Sequence, residues 1–140
     1  MKINRQIIAA LAIIFNDKNE ILFAQRNDPT NPNFHEKWGL PGGMVEIGES
    51  PDFSAAREAK EEVGIDIEII SKYPIIRTMI DIDRNNQVIL LAYPSRTKEE
   101  NSIKINYESK DARWFKYEDI DDETFLPFAR EFVDEAKKII

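Results

Sequence analysis

The stretch Gly43-Met-Val-Glu-Ile-Gly-Glu49-Ser-Pro-Asp-Phe-Ser-Ala-Ala-Arg57-Glu58-Ala-Lys-Glu61-Glu62-Val-Gly64-Ile65 carries more structural information than any other part of this chain. Ser50-Pro51 is a helix start. Serine offers a cap to the free amides, and proline fits the first helical position, where its missing N–H costs nothing. The helix is expected to run through Ala55, Ala56 and Ala59 to about Val63, and Gly64 to stop it at the C′ position. At about 100° per residue, Glu58, Glu61 and Glu62 share an arc of about 100°. Ala56, Ala59 and Val63 form an apolar stripe beside them. Like charges so arranged destabilise a bare helix by about a few tenths of a kcal/mol per close pair. A bound divalent cation would relieve that repulsion, and magnesium or manganese (Mg2+ or Mn2+) suits an all-oxygen site that also touches phosphate. Taken alone, a Lys- and Glu-rich helix is a solvated face; the glycine-rich lead-in sets this one apart.

Working outward, the glycines are the odd feature. All five (Gly39, Gly42, Gly43, Gly48 and Gly64) fall within 26 residues of a 140-residue chain. Unusual backbone geometry is therefore concentrated at one place. The length suits one domain, residues 1–140, with a real core. Zero cysteines exclude a disulfide scaffold, a thiolate metal site and a cysteine nucleophile. The lone His35 excludes a multi-histidine zinc site. A net charge of −7 argues against nucleic acid as the partner.

The apolar run Ile7–Phe15, behind Lys2 and Arg5, has signal-peptide features, but no small-residue cleavage site follows and it is too short to cross a bilayer. It reads as a strand covered on both faces, with no membrane association and a cytoplasmic location expected. Asn16–Asn19 turn the chain, and Ile21–Ala24 return as a strand ending at Gln25-Arg26. Residues 27–37 hold two prolines and three asparagines and form a loop. Trp38–Leu40 is a short strand. Strands are also expected over Ile65–Ile70, Tyr73–Ile82, Gln87–Tyr93 and Ala112–Phe115, with a turn at residues 83–86. Phe128, Phe132, Val133, Ala136 and Ile140 form one face of a C-terminal helix. Strands and helices interleave, so the class is α/β or α+β with a mixed sheet.

The quoted stretch has the form G-x5-E-x7-R-E-U-x-E-E-x-G-U, where U is a bulky apolar residue, and every fixed position is matched. This chain therefore resembles the Nudix (MutT-like) hydrolases, with residues 43–65 as the Nudix box. The seven fixed residues would recur by chance with a probability on the order of 10⁻⁶ at this composition. Ala59 is a soft departure, since the pattern prefers a bulkier apolar side chain. Trp38-Gly-Leu-Pro-Gly-Gly43 looks like the usual lead-in, and Glu108-Ser-Lys-Asp111-Ala-Arg-Trp114-Phe115 like the late acidic loop and strand.

The resemblance implies an α/β/α sandwich around a mixed sheet, with the box as a loop–helix–loop. It implies a hydrolase that cleaves the pyrophosphate bond of nucleoside diphosphates linked to another group, using magnesium or manganese. Glu58, Glu61, Glu62 and the Gly42 carbonyl would be metal ligands. Arg57 and Glu49 would hold the catalytic helix and loop in shape, with Gly43 and Gly64 as structural glycines. The general base would be Glu58, or Glu108 or Asp111 on the late loop. Arg26 and Gly43 are candidate substrate contacts. The best substrate class is a nucleoside triphosphate, cut to a monophosphate and pyrophosphate. ADP-ribose and nucleotide-sugar types are the alternative, although their proline or tyrosine hallmark past the box is absent from Ile80-Asp81-Ile82-Asp83. A non-catalytic nucleotide sensor is a further reading, against which stands the full set of box glutamates. The partner is a small nucleotide, and the family makes a homodimer an open assembly. His35 reads as a solvated loop residue, and Trp38 as a packing residue.

Pyrophosphate hydrolysis needs charge neutralisation and an activated water. Carboxylates supply both the ligands and the proton acceptor, and no protein nucleophile is required.

Overall fold

A computed structural model describes residues 2–140. Eight strands and two α-helices follow in the order β1 (Arg5–Phe15), β2 (Ile21–Arg26), β3 (Trp38–Gly39), β4 (Gly42–Met44), α1 (Pro51–Val63), β5 (Glu68–Ile69), β6 (Ile75–Asp81), β7 (Asn86–Arg96), β8 (Ser109–Phe115) and α2 (Ala129–Lys137). All strands join one sheet. Its spine is β3-β2-β1-β7-β5, with β4 on β1, β6 on β7 and β8 on β2. β1 and β7 run parallel over eleven residue pairs, from Arg5–Asn86 to Phe15–Arg96, and the other pairings are antiparallel. The sheet is mixed, as expected.

Alternation along β1 assigns the two helices to opposite faces. Ala12 and Ile14 point to the side packed by Ala59 and Val63 of α1. Ala9, Ile13 and Phe15 point to the side packed by Phe132, Val133 and Ala136 of α2. The result is the expected helix–sheet–helix sandwich. On the α2 side Phe23, Phe115 and Phe125 pack edge to face, with centroids 5.0–5.8 Å apart.

Several expectations are corrected. The first strand is covered on both faces only from Ala9 onward, and Ile8 is 46% exposed. The buried stripe of α1 is Ala55, Ala59 and Val63, and Ala56 is only half-buried. Those three residues are the i, i+4, i+8 ridge that faces the sheet. Ser50 is the N-cap, but its hydroxyl donates to Asp52 Oδ1 at 2.7 Å and caps no amide. The strand expected over Ile65–Ile70 shrinks to Glu68–Ile69. The Asp66 backbone is taken by side chains instead, its N–H by Glu99 and its carbonyl by Thr97.

The strand expected over Tyr73–Ile82 begins only at Ile75 and ends at Asp81, and its turn is a 3-10 turn closed by Asn85 at φ +57°. The next strand runs on to Arg96, through Pro94. The Pro94 carbonyl accepts from Ile70, so its missing N–H falls on that edge and not on the β1 ladder. Phe128 stands outside α2 as its N-cap at φ +71°, edge-on to Phe132. Among the described residues no helix is long and apolar enough to cross a membrane.

Candidate active site

The glycine-rich lead-in is extended, not looped. β4 lies antiparallel on β1, with Gly42 beside Leu11 and Gly43 beside Ala10. A Cβ on Gly43 would stand 2.6 Å from the Glu58 carboxyl carbon, so the α1 carboxylate rests directly on bare backbone. Pro41 and Val45 bond to β1, on either side of Gly42. The Gly42 N–H turns the other way and donates to Glu62 Oε2 at 3.2 Å. At the far end of α1, Gly64 takes φ +76° and donates to the Lys60 carbonyl, ending the helix one residue after Val63.

Arg57 is the hub of the box. It binds Glu49 bidentately, Nε to Oε2 at 2.5 Å and Nη2 to Oε1 at 3.0 Å. Its Nη1 donates to Glu58 at 3.2 Å and to Glu61 at 3.1 Å. That grip lowers the Glu49 pKa to about 2 and pushes the Arg57 pKa up. Helical spacing puts the three carboxylates together, and the structure separates their environments. Glu61 is half exposed, and Glu58 is mostly covered. Among the described residues Glu62 accepts only from the Gly42 N–H and from the Ser109 hydroxyl, which donates to Oε1 at 3.3 Å.

Burial raises Glu58 above the ordinary carboxylate range, against the pull of Arg57, and the charges of Glu61 and Glu108 push the same way. Burial pushes Glu62 up to about 7, with Glu108 and Glu58 adding to it and the Gly42 hydrogen bond opposing it.

Arg26 reaches the site because the β2–β8 register slips between Gln25 and Arg26, bringing Arg26 opposite Ser109. Such bulges re-aim side chains. Arg26 lies 3.3 Å from Asp28 and 5.6 Å over the Phe34 ring. Glu108 and Arg26 line the same cavity of about 630 Å3 as Gly42, Gly43 and Glu62. The other late-loop candidate is not brought there: Asp111 is held by Arg113 Nε at 2.8 Å and by the Ala112 N–H. His35 fastens the loop rather than standing in solvent, its Nδ1 accepting from Asp28 N–H at 3.0 Å. Trp38 is buried against Phe115, a packing role.

Among the described residues no three carboxylate or histidine side chains converge into a ready-made metal cage. The reason is visible. Arg57 takes up Glu58 and Glu61, and Glu62 turns to Gly42 and Ser109. The donor set nonetheless fits a hard cation: it is all oxygen, and Glu62 is a buried carboxylate with two neutral donors and like charges nearby. Sequence patterning does not single out Ser109, Arg5, Asp81, Arg84 or Asn86. Ser109 touches Glu62, and the other four line the same cavity. Nothing in their spacing signals a shared cavity, although Asp81 and Asn86 do bracket an evident turn.

Residues 5–136 match the family model described as NUDIX domain. An RNA pyrophosphohydrolase of a Nitratiruptor species is 30% identical over 129 residues, which cover 89% of this chain and 78% of that protein. The nucleoside triphosphatase NudI of Escherichia coli O139:H28 is 30% identical over 123 residues, covering 83% and 86% of the two chains. The crystal structure of a MutT protein from Methanosarcina mazei Go1 superposes with a TM-score of 0.75 at 27% identity, covering 96% of this chain and 95% of that one.

Proposed function

The chain belongs to the Nudix family of hydrolases, and from that membership we propose that it is a metal-dependent pyrophosphohydrolase of nucleoside triphosphates, releasing a monophosphate and pyrophosphate. The observation that carries the reading is Glu62. A buried carboxylate raised to about 7 opens on a cavity that Arg26, Glu108 and the Gly42–Gly43 backbone also line. A group so placed is costly to the fold unless a cation or proton meets it. The nucleoside triphosphatase named above supports the substrate class.

In this reading Glu58, Glu61, Glu62 and the Gly42 carbonyl hold magnesium or manganese. The bound ion supplies charge neutralisation of phosphate oxygens and acidification of water. Arg57 keeps Glu58 and Glu61 in one place and ties them to the loop through Glu49. It is a positioning residue. The Arg26 guanidinium offers a planar donor pair to a phosphate oxygen. Glu108 takes the proton of the attacking water at its carboxylate. Of the cavity carboxylates near the box, it alone has no side-chain hydrogen-bond partner among the described residues, so it is free to accept one. The missing side chain at Gly43 leaves room for the Glu58 carboxylate to pack against the backbone.

A nucleoside triphosphate panel with Mg2+, parent against Glu62→Gln, tests this. Metal-dependent release of pyrophosphate, lost in the variant, is the expected result. Tight nucleotide binding with no turnover would point to a sensor. A variant as active as the parent would overturn the metal assignment.

A further inference from the structure

β6 is an edge strand. It pairs with β7 over Ile75–Asp81 and, among the described residues, with no other strand. The direction of its spare backbone groups follows from β7. The Pro94 carbonyl points away from β1 and accepts from Ile70, and backbone groups alternate in direction along a strand. Asn86, Val88, Leu90 and Ala92 therefore turn to β6, and their register partners Asp81, Met79, Arg77 and Ile75 spend their own groups on β7. That directs the N–H and C=O of Ile76, Thr78 and Ile80 outward. At Ile76 the next side chain stands in for a missing strand, Arg77 Nη1 donating to the carbonyl at 2.9 Å. Among the described residues no loop backbone bonds to Ile76, Thr78 or Ile80.

The side chains of the same three residues are bare. Ile76 is 55% exposed and Ile80 49%, and Thr78 is exposed as well. Thr78 continues the row of Ile89 on β7 and Ile8 on β1, which faces the α1 side of the sheet. Met79 and Asp81, which line the cavity, lie on the other face. Native proteins blunt an edge strand with an outward charge, a proline or a bulge. Here both charged side chains are turned away from the α1 side. Arg77 is tied to Glu131 of α2 at 3.1 Å, and Asp81 is held by Asn31. A chain of net charge −7 repels its own copies over most of its surface. Two copies are therefore best brought together where neither presents a charge.

We propose that two copies of this chain pair through β6, antiparallel, about a two-fold axis at Thr78. One patch then serves both sides of the interface. Ile76 lies opposite Ile80 of the second copy, and Thr78 lies opposite its own equivalent. These are the outward-directed residues, so each pair exchanges both of its N–H···O bonds. On the other face Arg77 comes opposite Met79, and Asp81 opposite Ile75, so no like charges meet. The neighbouring registers are worse. An axis at Arg77 would set two guanidinium groups against each other and bring Pro74, which has no N–H, opposite Ile80. An axis at Met79 would bring Ile76 opposite Ile82, which lies past the end of the strand. Seven residues of strand, roughly 23 Å, make a small interface. The dimer is accordingly one that forms and dissociates with protein concentration. The pairing stands whether or not the chain turns over nucleotides.

The test is analytical ultracentrifugation of the full chain from low micromolar to near-millimolar concentration. The parent should pass from monomer to dimer across that range. Thr78→Lys sets two ammonium groups against each other on the axis and should sediment as a monomer throughout, with a circular dichroism melt matching that of the dilute parent. The register is read by cross-linking, because the chain has no cysteine of its own. Thr78→Cys brings two thiols together on the axis, with Cα atoms about 5.5 Å apart, within disulfide reach. Glutathione disulfide should oxidise it to a covalent dimer. Ile76→Cys alone should stay uncross-linked, and a mixture of Ile76→Cys with Ile80→Cys should cross-link. If Thr78→Lys does not fold, the cysteine series decides. A parent that is monomeric at every concentration overturns the inference and leaves the edge to a strand of another protein. A dimer that survives Thr78→Lys, or that cross-links at Ile76→Cys as readily as at Thr78→Cys, also overturns it.

Discussion

Replacing Glu62 by Gln should make the metal-free protein more stable at pH 8 and less able to respond to metal. Burial lifts the Glu62 pKa from its ordinary 4.5 to about 7. The protonated form is therefore favoured in the folded state, and the fold carries the full cost of ionising this group only above pH 7. Stability falls as pH rises from 4.5 to 7, the reverse of the usual carboxylate case. At 1.36 kcal/mol per pH unit the cost is about 3 kcal/mol. Gln has the same shape and no charge. Its oxygen can still accept from Gly42 N–H, and its amide can donate to Ser109. At pH 8 in EDTA, Glu62→Gln should melt higher than the parent by roughly 10 °C, and the gap should shrink to roughly a quarter of that at pH 5. Adding Mg2+ should raise the parent's midpoint at pH 8 and leave the variant's nearly unchanged. Thermal unfolding by circular dichroism at pH 5 and pH 8, with and without Mg2+, reads all of this. If the variant is no more stable than the parent at pH 8, or the gap does not depend on pH, Glu62 is not a buried ionised carboxylate and the reasoning fails.

Two further outcomes follow from the box geometry. Gly43→Ala drives a Cβ into the Glu58 carboxylate, 2.6 Å away. Activity should drop on the order of 10²-fold while the melting midpoint stays close to the parent's, and full activity would show that Glu58 need not rest on Gly43. Glu49 is held at about 2 by Arg57, below its ordinary 4.5. Its stabilising effect is complete above pH 4.5 and is lost as pH falls through 2, so an acid titration of stability should be steep in that window for the parent and flatter for Glu49→Gln.

The local elements of this protein were legible because their causes are local. Pro51 and Gly64 bound α1 to the residue, since a fixed φ and a missing Cβ act on the backbone wherever the chain goes. The 3.6-residue period put Glu58, Glu61 and Glu62 on one face for the same reason. What a local pattern cannot contain is the partner. The buried stripe of α1 falls on Ala55 and not on Ala56, because which ridge faces the sheet depends on how β1 lies beneath it. The Ser50 hydroxyl was expected on the helix amides, and Asp52 took it instead.

The helix, its carboxylates and the family chemistry they resemble were thus written in the order of the residues. How unlike those carboxylates are was settled only by folding. Arg57 engages two of them, while the third is buried beside Gly42 and Ser109, and a pKa answers to surrounding charge and solvent rather than to spacing along the chain. The same holds for the β6–β7 wall of the cavity. Asp81 and Asn86 look like turn residues until the β6–β7 register seats them together, with Arg5, 81 residues before Asn86 in the chain, setting the amide's direction.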